Sequence, residues 1–100
     1  MDTQLKKGFL ELLVLAAVKN RPSYGYKIIQ DVSTVMEISE STLYPILKRL
    51  ELQNFVVTYT EEFNSRLWRY YQITSSGIQR LKDCRQEFDE LIKVYDFIMS

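Results

Sequence analysis

The sequence predicts a mainly α-helical chain that carries one β-hairpin. Apolar residues recur at helical spacing in three segments of the first half and again near the end of the chain, whereas the segment from residue 55 to residue 73 has a strand-like period of two. With 46% hydrophobic and 26% charged side chains in 100 residues, the composition is typical of one folded domain. The predicted order is therefore helix, helix, helix, hairpin, helix.

The first two helices are separated by a turn that contains proline. Residues 5–18 form the first helix, and its apolar face is wide enough to predict near-complete burial. Pro22 disfavours helical geometry in the residue before it, so the first helix ends at the preceding turn. Ser23 is the predicted N-cap of a second helix that runs from Tyr24 to about Thr34.

The third helix has one apolar face and one polar, partly basic face. Ser39 or Ser41 caps its start, and its predicted buried stripe consists of Leu43, Ile46, Leu47 and Leu50. Pro45 predicts a local kink just beyond the first turn, and Asn54 is suited to the left-handed conformation that ends a helix. The opposite face carries hydroxyls and cations, a combination that suits the major groove of DNA.

A hairpin and a long final helix complete the chain. Residues 55–61 and 67–73 are the two predicted strands, and residues 62–66 connect them with Asn64 and Ser65 at the tip. Strand alternation requires that one of Tyr70 and Tyr71 point inward. Thr74 or Ser75 caps a helix from about Gly77 to Met99. This order of elements is that of a winged helix-turn-helix domain, residues 1–75, followed by a C-terminal dimerisation helix, residues 76–100.

Several classes of protein are disfavoured by composition. The chain has no histidine and one cysteine, which excludes histidine-dependent catalytic dyads and triads as well as an intrachain disulfide, and makes an ordinary zinc site very improbable. The three glycines do not form a phosphate-binding loop. We therefore expect no catalytic residues, no metal and no cofactor. No apolar run reaches the roughly 18 residues that a membrane span needs, and a signal peptide is not recognisable, so we expect a cytoplasmic protein.

Four blocks of sequence resemble a known family. They are KGFLELLVL at residues 7–15, SYGY at 23–26, STLYPILKRLE at 41–51 and RYYQIT at 69–74, followed by Gly77. In this order and spacing they resemble the PadR family of bacterial transcriptional regulators, in its small form with one C-terminal helix. The chain departs from the family pattern at Trp68, where a cation is usual, at Leu67 instead of proline, and at Asn54 instead of glycine.

The helix-turn-helix geometry predicts which residues face DNA. The N-terminal half of the third helix is the part that approaches base edges, while the start of the second helix and the hairpin approach phosphates or the minor groove. The candidate DNA-binding residues are Tyr24, Tyr26, Lys27, Ser41, Thr42, Tyr44, Lys48, Arg66 and Arg69.

The final helix carries more apolar surface than one small domain can cover. Its residues recur in steps of three and four, which predicts packing against the first helix of a second copy in a twofold dimer. The candidate interface residues are Leu10, Leu13, Leu81, Cys84, Phe88, Leu91, Ile92, Tyr95 and Ile98. The family resemblance also implies a small aromatic or hydrophobic effector that binds between subunits, for which Phe88 is the candidate contact.

Two functions follow as hypotheses. The first is a homodimeric repressor that binds double-stranded DNA at a pseudo-palindromic operator. Residues 1–82 support it with eleven Lys or Arg against eight Asp or Glu, while residues 83–100 have two against five. The second is a winged-helix protein-interaction module without DNA binding, for which Trp68 and the zero net charge are the arguments. An enzyme is a distant third.

Overall fold

The computed structural model describes all residues from 1 to 100 and has the predicted order of elements. Four helices and an antiparallel pair of strands follow one another as α1 Thr3–Ala17, α2 Gly25–Ser33, α3 Glu40–Leu52, β1 Val56–Phe63, β2 Arg66–Ile73 and α4 Ser75–Met99. The molecule measures 58 × 27 × 20 Å, and its long dimension includes the C-terminal end of α4, which projects from the rest. The predicted fold class, a winged helix-turn-helix with a long C-terminal helix, is confirmed.

The hydrophobic core is formed by α1, α2 and α3 and is closed by the base of the hairpin. Val14, Ile28 and Leu43 are completely buried, one from each helix. Val56 and Tyr71 join the same cluster from β1 and β2. The face of α3 that contains Leu43 is therefore fixed against the core, and the opposite face of the same helix is left to solvent. Of the two adjacent tyrosines in β2, Tyr71 is the one that points into the core.

The starts of the first two helices differ from the prediction. α1 begins at Thr3 because the Asp2 carboxylate accepts hydrogen bonds from the backbone N–H groups of Gln4 and Leu5. Ser23 is not the N-cap of α2, so that prediction is wrong. Its backbone pairs with Tyr71 of β2 in both directions, at 3.1 and 2.7 Å, which makes Ser23 an isolated β-bridge beside the hairpin and moves the cap to Tyr24.

α3 begins after Ser39 and ends in a left-handed turn. The Ser39 hydroxyl bonds to the side chains of Ser41 and Thr42 rather than to a backbone N–H group. Asn54 has a φ of 63°, as predicted. The N–H of Phe55 donates to the carbonyl of Leu50 at 2.9 Å and that of Asn54 to the carbonyl of Glu51 at 3.0 Å, which is the Schellman arrangement. This turn directs the chain from α3 into β1.

The hairpin is longer and its turn tighter than the sequence predicted. The strands extend to Phe63 and from Arg66, so only Asn64 and Ser65 connect them. Both residues have positive φ, 51° and 63°, as a type I′ turn requires. Serine is an unusual residue in this conformation, which is why the pattern suggested a longer connection. The tight turn extends the hairpin as a projecting wing.

α4 is anchored at its start and projects at its end. The Thr74 hydroxyl accepts a hydrogen bond from the N–H of Gly77 at 3.0 Å, which confirms Thr74 as the cap. A Cβ atom at Gly77 would lie 2.3 Å from the carbonyl oxygen of Phe55, so this contact requires glycine. All residues after Cys84 are exposed. None of the four helices, α4 included, combines the length and apolar character that crossing a membrane requires.

Candidate nucleic-acid interface

The solvent-facing side of α3 is the centre of the candidate interface. Ser41, Pro45 and Lys48 lie along the middle of this side and are exposed. Thr42 lies on the edge next to α1, and Tyr44 lies on the opposite edge. Lys48 forms no ion pair, so its ammonium group is available to a phosphate.

Tyr44 lies against the start of α2. A Cβ atom at Gly25 would lie only 2.4 Å from the Tyr44 hydroxyl oxygen, so the tyrosine ring fills the space that a side chain would need. The ring is still 48% exposed. Tyr44 is therefore a half-exposed side chain whose hydroxyl lies beside the N-terminus of α2.

The predicted contacts on α2 divide into exposed and packed side chains. Tyr26 is exposed, and the Lys27 ammonium bonds to the Asp31 carboxylate one turn later at 3.1 Å. Tyr24 is half-buried because its ring meets the hairpin. Tyr26 can therefore reach a ligand directly, Lys27 can do so by leaving Asp31, and Tyr24 acts in packing.

A polar cleft separates α3 from the wing. It is lined by Tyr44, Lys48, Glu51, Arg69 and Tyr71. The Arg69 guanidinium lies 3.5 Å from the Glu51 carboxylate, 3.4 Å from the Thr58 hydroxyl and 5.7 Å from the centre of the Tyr71 ring. Burial raises the pKa of the Tyr71 phenol, an effect that the Arg69 charge opposes. Arg69 thus links the wing to α3, a role that its place in the sequence did not show.

Trp68 fills an aromatic cluster on the other face of the wing. Its ring meets Tyr24 edge-on with 5.1 Å between centroids, Tyr70 meets Tyr24 at 5.7 Å, and Tyr70 stacks on Tyr59 at 5.4 Å. The indole N–H of Trp68 is buried without a hydrogen-bond partner, as is the Ser23 hydroxyl. Trp68, which stands where the family usually has a cation, therefore packs the wing against Tyr24 at the start of α2. Sequence reasoning missed this, although residues 68 and 70 share a strand face by alternation.

The nine predicted DNA contacts do not form a single cluster. Tyr44, Lys48 and Arg69 meet in the cleft, while Ser41 and Thr42 lie along the exposed side of α3. Arg66 is at the exposed tip of the wing, next to the turn. The sequence suggested Glu51 or Glu40 as a partner of Lys48 or Arg49, but Arg49 bonds to Glu11 and Glu51 pairs with Arg69.

The predicted interface residues divide into covered and open groups. Leu10 is 4% exposed and belongs to the core of its own chain, so it has almost no surface to offer a partner and we assign it to the core. Leu13 and Leu81 pack against that core and are only partly buried. Burial also raises the pKa of the Cys84 thiol, against the lowering influence of Arg80. The open group, 42–69% exposed, consists of Phe88, Leu91, Ile92, Tyr95 and Ile98.

Phe88 contacts α1 of its own chain. Its ring stacks on Phe9 with centroids 6.0 Å apart and an angle of 8° between the ring planes. Phe88 is still 42% exposed, so the pair is open on one side.

Comparisons with known proteins give the family. The profile of the transcriptional regulator PadR-like family matches residues 14–83. An uncharacterised protein of Lysinibacillus sphaericus is 31% identical over 94% of this chain and 91% of its own length. A crystal structure of a Streptococcus mutans protein is 40% identical, with a TM-score of 0.80 over 93% of this chain and 88% of that chain.

A further structure is described as a PadR-like transcription factor from Bacteroides fragilis. It is 28% identical, with a TM-score of 0.82 over 96% of this chain and 95% of that one. The agreement therefore extends over α4 as well as the winged domain. The chain belongs to the PadR-like family of transcriptional regulators.

Proposed function

We propose that this protein is a homodimeric repressor that binds a pseudo-palindromic DNA operator. The observation that carries the proposal is the arrangement of α3: one face is buried in the core, and the other presents hydroxyls, Tyr44 and the unpaired Lys48 beside a projecting wing. A helix presented in this way is the element that enters a major groove in helix-turn-helix proteins. Bound at a promoter, such a dimer would prevent RNA polymerase from reaching that promoter.

The side chains on this surface are better suited to positioning the protein on DNA than to distinguishing one base pair from another. Hydroxyl groups such as those of Ser41 and Thr42 can bond to bases or phosphates and distinguish base pairs weakly. Lys48 is placed one turn further along α3, where a phosphate contact is expected. Arg66 at the tip of the wing is suited to a narrow minor groove. Operator choice would therefore depend on DNA shape and on the spacing of half-sites.

The dimer rests on apolar surface that one chain leaves open. Eight large apolar side chains between Phe88 and Met99 are each at least 42% exposed. α1 adds a second apolar stripe on the side away from the core, which includes Leu5, Phe9 and Leu12. The last turns of α4 packed on this stripe of a second copy would cover both surfaces. Twofold symmetry then predicts half-sites about one helical turn, roughly 34–36 Å, apart.

Release by a small aromatic effector is the remaining part of the proposal. Phe9 and Phe88 form a stacked pair that is open on one side. A flat hydrophobic compound can extend such a stack at a dimer interface. Titration of candidate planar compounds against the protein–DNA complex tests this, since an effector would lower the affinity for DNA.

DNA binding is tested by fluorescence anisotropy with labelled duplexes over a range of salt concentrations. We expect binding that weakens steeply as salt rises, and selection from random duplexes should recover a palindrome. Lys48→Ala should weaken binding to all sequences, while Lys93→Ala on α4 should not. Absence of duplex binding at about 50 mM salt would overturn the proposal and favour the protein-interaction module.

A further inference from the structure

We propose that α1 supplies a second set of phosphate contacts, made by Lys6 and Lys7, on the side of α3 opposite the wing. The inference rests on the DNA-binding function proposed above and adds residues that the helix-turn-helix pattern did not include. Its starting observation is a groove between α1 and α3, lined by Thr3, Lys6, Lys7, Leu10, Glu11, Thr42, Pro45, Ile46 and Arg49.

The groove is continuous with the candidate DNA-binding side of α3. Thr42 and Pro45 line it, and both are exposed in the N-terminal half of the helix that approaches base edges. The cleft with Lys48 and Arg69 lies along the other edge of the same helix. The exposed side of α3 is therefore bordered by two depressions, one toward α1 and one toward the wing.

The charge in the groove is positive. Of its four charged residues, Arg49 and Glu11 bond to each other across α1 and α3 and offset one another. Lys6 and Lys7 remain and form no ion pair. The carboxylate of Asp2, nearest in sequence, is occupied by the N–H groups of Gln4 and Leu5. Two free ammonium groups therefore lie beside the recognition face.

The geometry of B-DNA places phosphates on both sides of a recognition helix. The major groove is about 12 Å wide, about the diameter of a helix with its side chains, so a helix inside it has a phosphate backbone on each flank. In the proposed complex, Lys48 in the cleft beside the wing meets one backbone. α1 with Lys6 and Lys7 is in the position to meet the other backbone, and a phosphate group of that DNA strand is the occupant that these two cations favour.

The test is the salt dependence of duplex binding. Phosphate contacts act on any sequence, so a labelled duplex of arbitrary sequence is a sufficient probe and the operator need not be known. The double variant Lys6→Ala/Lys7→Ala should bind several-fold more weakly at about 50 mM salt. The slope of log affinity against log salt should fall in magnitude by between about 2 and 4, since the dimer loses two lysines from each subunit and each lost phosphate contact contributes about 0.9.

Two variants control the measurement. Lys19→Ala removes an exposed lysine beyond the other end of α1, about 20 Å along the helix axis, and should leave the slope unchanged. Lys6→Arg/Lys7→Arg keeps both charges and should retain the wild-type slope. A circular dichroism melt that matches that of Lys19→Ala shows that the double alanine variant is folded.

The outcomes separate this inference from the proposed function. If the wild-type chain binds duplex and the double alanine variant has the slope of Lys19→Ala, the α1 contacts are wrong and the proposed function stands. If the wild-type chain does not bind duplex, both fail. A reduced slope in the alanine variant, restored in the arginine variant, supports the inference.

Discussion

The body of the protein and the last four turns of α4 use similar apolar residues but cover them very differently. In the body, a core cluster of 13 residues is buried, and Val14, Ile28 and Leu43 have no exposed surface. In residues 85–100 no residue is buried, and Phe97 is 84% exposed. The body thus buries its apolar side chains within one chain, whereas the end of α4 leaves its apolar side chains exposed.

The difference shows how a helical pattern can serve two purposes. α3 and α4 both place apolar residues at helical spacing, but α3 is surrounded by α1, α2 and the hairpin, while α4 extends beyond all of them. Burial of apolar surface stabilises a fold or a complex by about 25 cal/mol per Å², and apolar surface left in water gives no such stabilisation. The body should therefore respond to mutation through the stability of one chain, and the end of α4 through association of two.

The largest effect is expected for dissociation of the dimer. Tyr95→Ser/Ile98→Ser removes two apolar side chains from each copy of the proposed interface and should weaken dimerisation by more than about 100-fold. Sedimentation equilibrium measures the change. Phe97→Ser, on the opposite side of the same turns, is the matched control. If the control dissociates the dimer as strongly as the double variant, the proposed interface is on the wrong face.

A core substitution should act on the single chain. Leu43→Ala should lower the free energy of unfolding by about 2–5 kcal/mol, because Leu43 is completely buried and its neighbours can fill the space only in part. Leu52→Ala on the same helix should change it by less than about 0.5 kcal/mol, since Leu52 is 74% exposed. Urea titrations of both variants would contradict the division between body and surface if the two effects were similar.

Two glycines give a smaller contrast within the body. Gly25→Ala should destabilise the fold by less than about 1 kcal/mol, because the new Cβ atom would displace the hydroxyl of Tyr44, the far end of a side chain that is 48% exposed and can move. Gly8→Ala, with nothing within 4 Å, should stabilise α1 by about 0.5–1 kcal/mol. Thermal melts measure both.

A double variant tests whether the Tyr44 hydroxyl causes the destabilisation expected for Gly25→Ala. Tyr44→Phe in the Gly25→Ala background removes the colliding oxygen and should recover part of the loss. An equal loss with and without the Tyr44 hydroxyl would show that the close approach is not what requires glycine at this position.

Cys84, where the body ends, should show the smallest effect. Burial raises the pKa of its thiol, so the thiolate fraction at a given pH is below that of a free cysteine. Alkylation by iodoacetamide should therefore be slow at neutral pH and accelerate as pH rises toward the raised pKa. Denatured protein should react at the rate of an ordinary thiol. Equal rates for folded and denatured protein would contradict the burial of Cys84.

Local patterns predicted the elements well because their determinants are close together in the chain. The helical stripe of α3, the left-handed Asn54 and the cap at Thr74 each depend on residues within a few positions, and all three are confirmed. The predicted cap at Ser23 is wrong because its backbone pairs with Tyr71, 48 positions later, and no local pattern contains that partner.

The candidate site was predicted as a set of residues but not as an arrangement. Lys48 and Arg69 are on the predicted surface, yet only the fold shows that Glu51 holds Arg69 beside α3. The position of Trp68 against Tyr24 likewise depends on how the hairpin packs on α2. These contacts join elements that are distant in sequence, and their geometry follows from the closed core.

The order of the elements, the third helix with its buried and polar faces, and the family can be read from the amino-acid sequence alone. Those features depend on periodicity, capping residues and blocks typical of the family, all of which one chain displays directly. Which side chains are free follows only from the folded structure. It placed Leu10 in the core, paired Arg49 with Glu11, and left Lys6 and Lys7 beside α3 and the end of α4 without cover. Burial and ion pairing depend on neighbours from other elements, and those neighbours are defined only when the chain is folded.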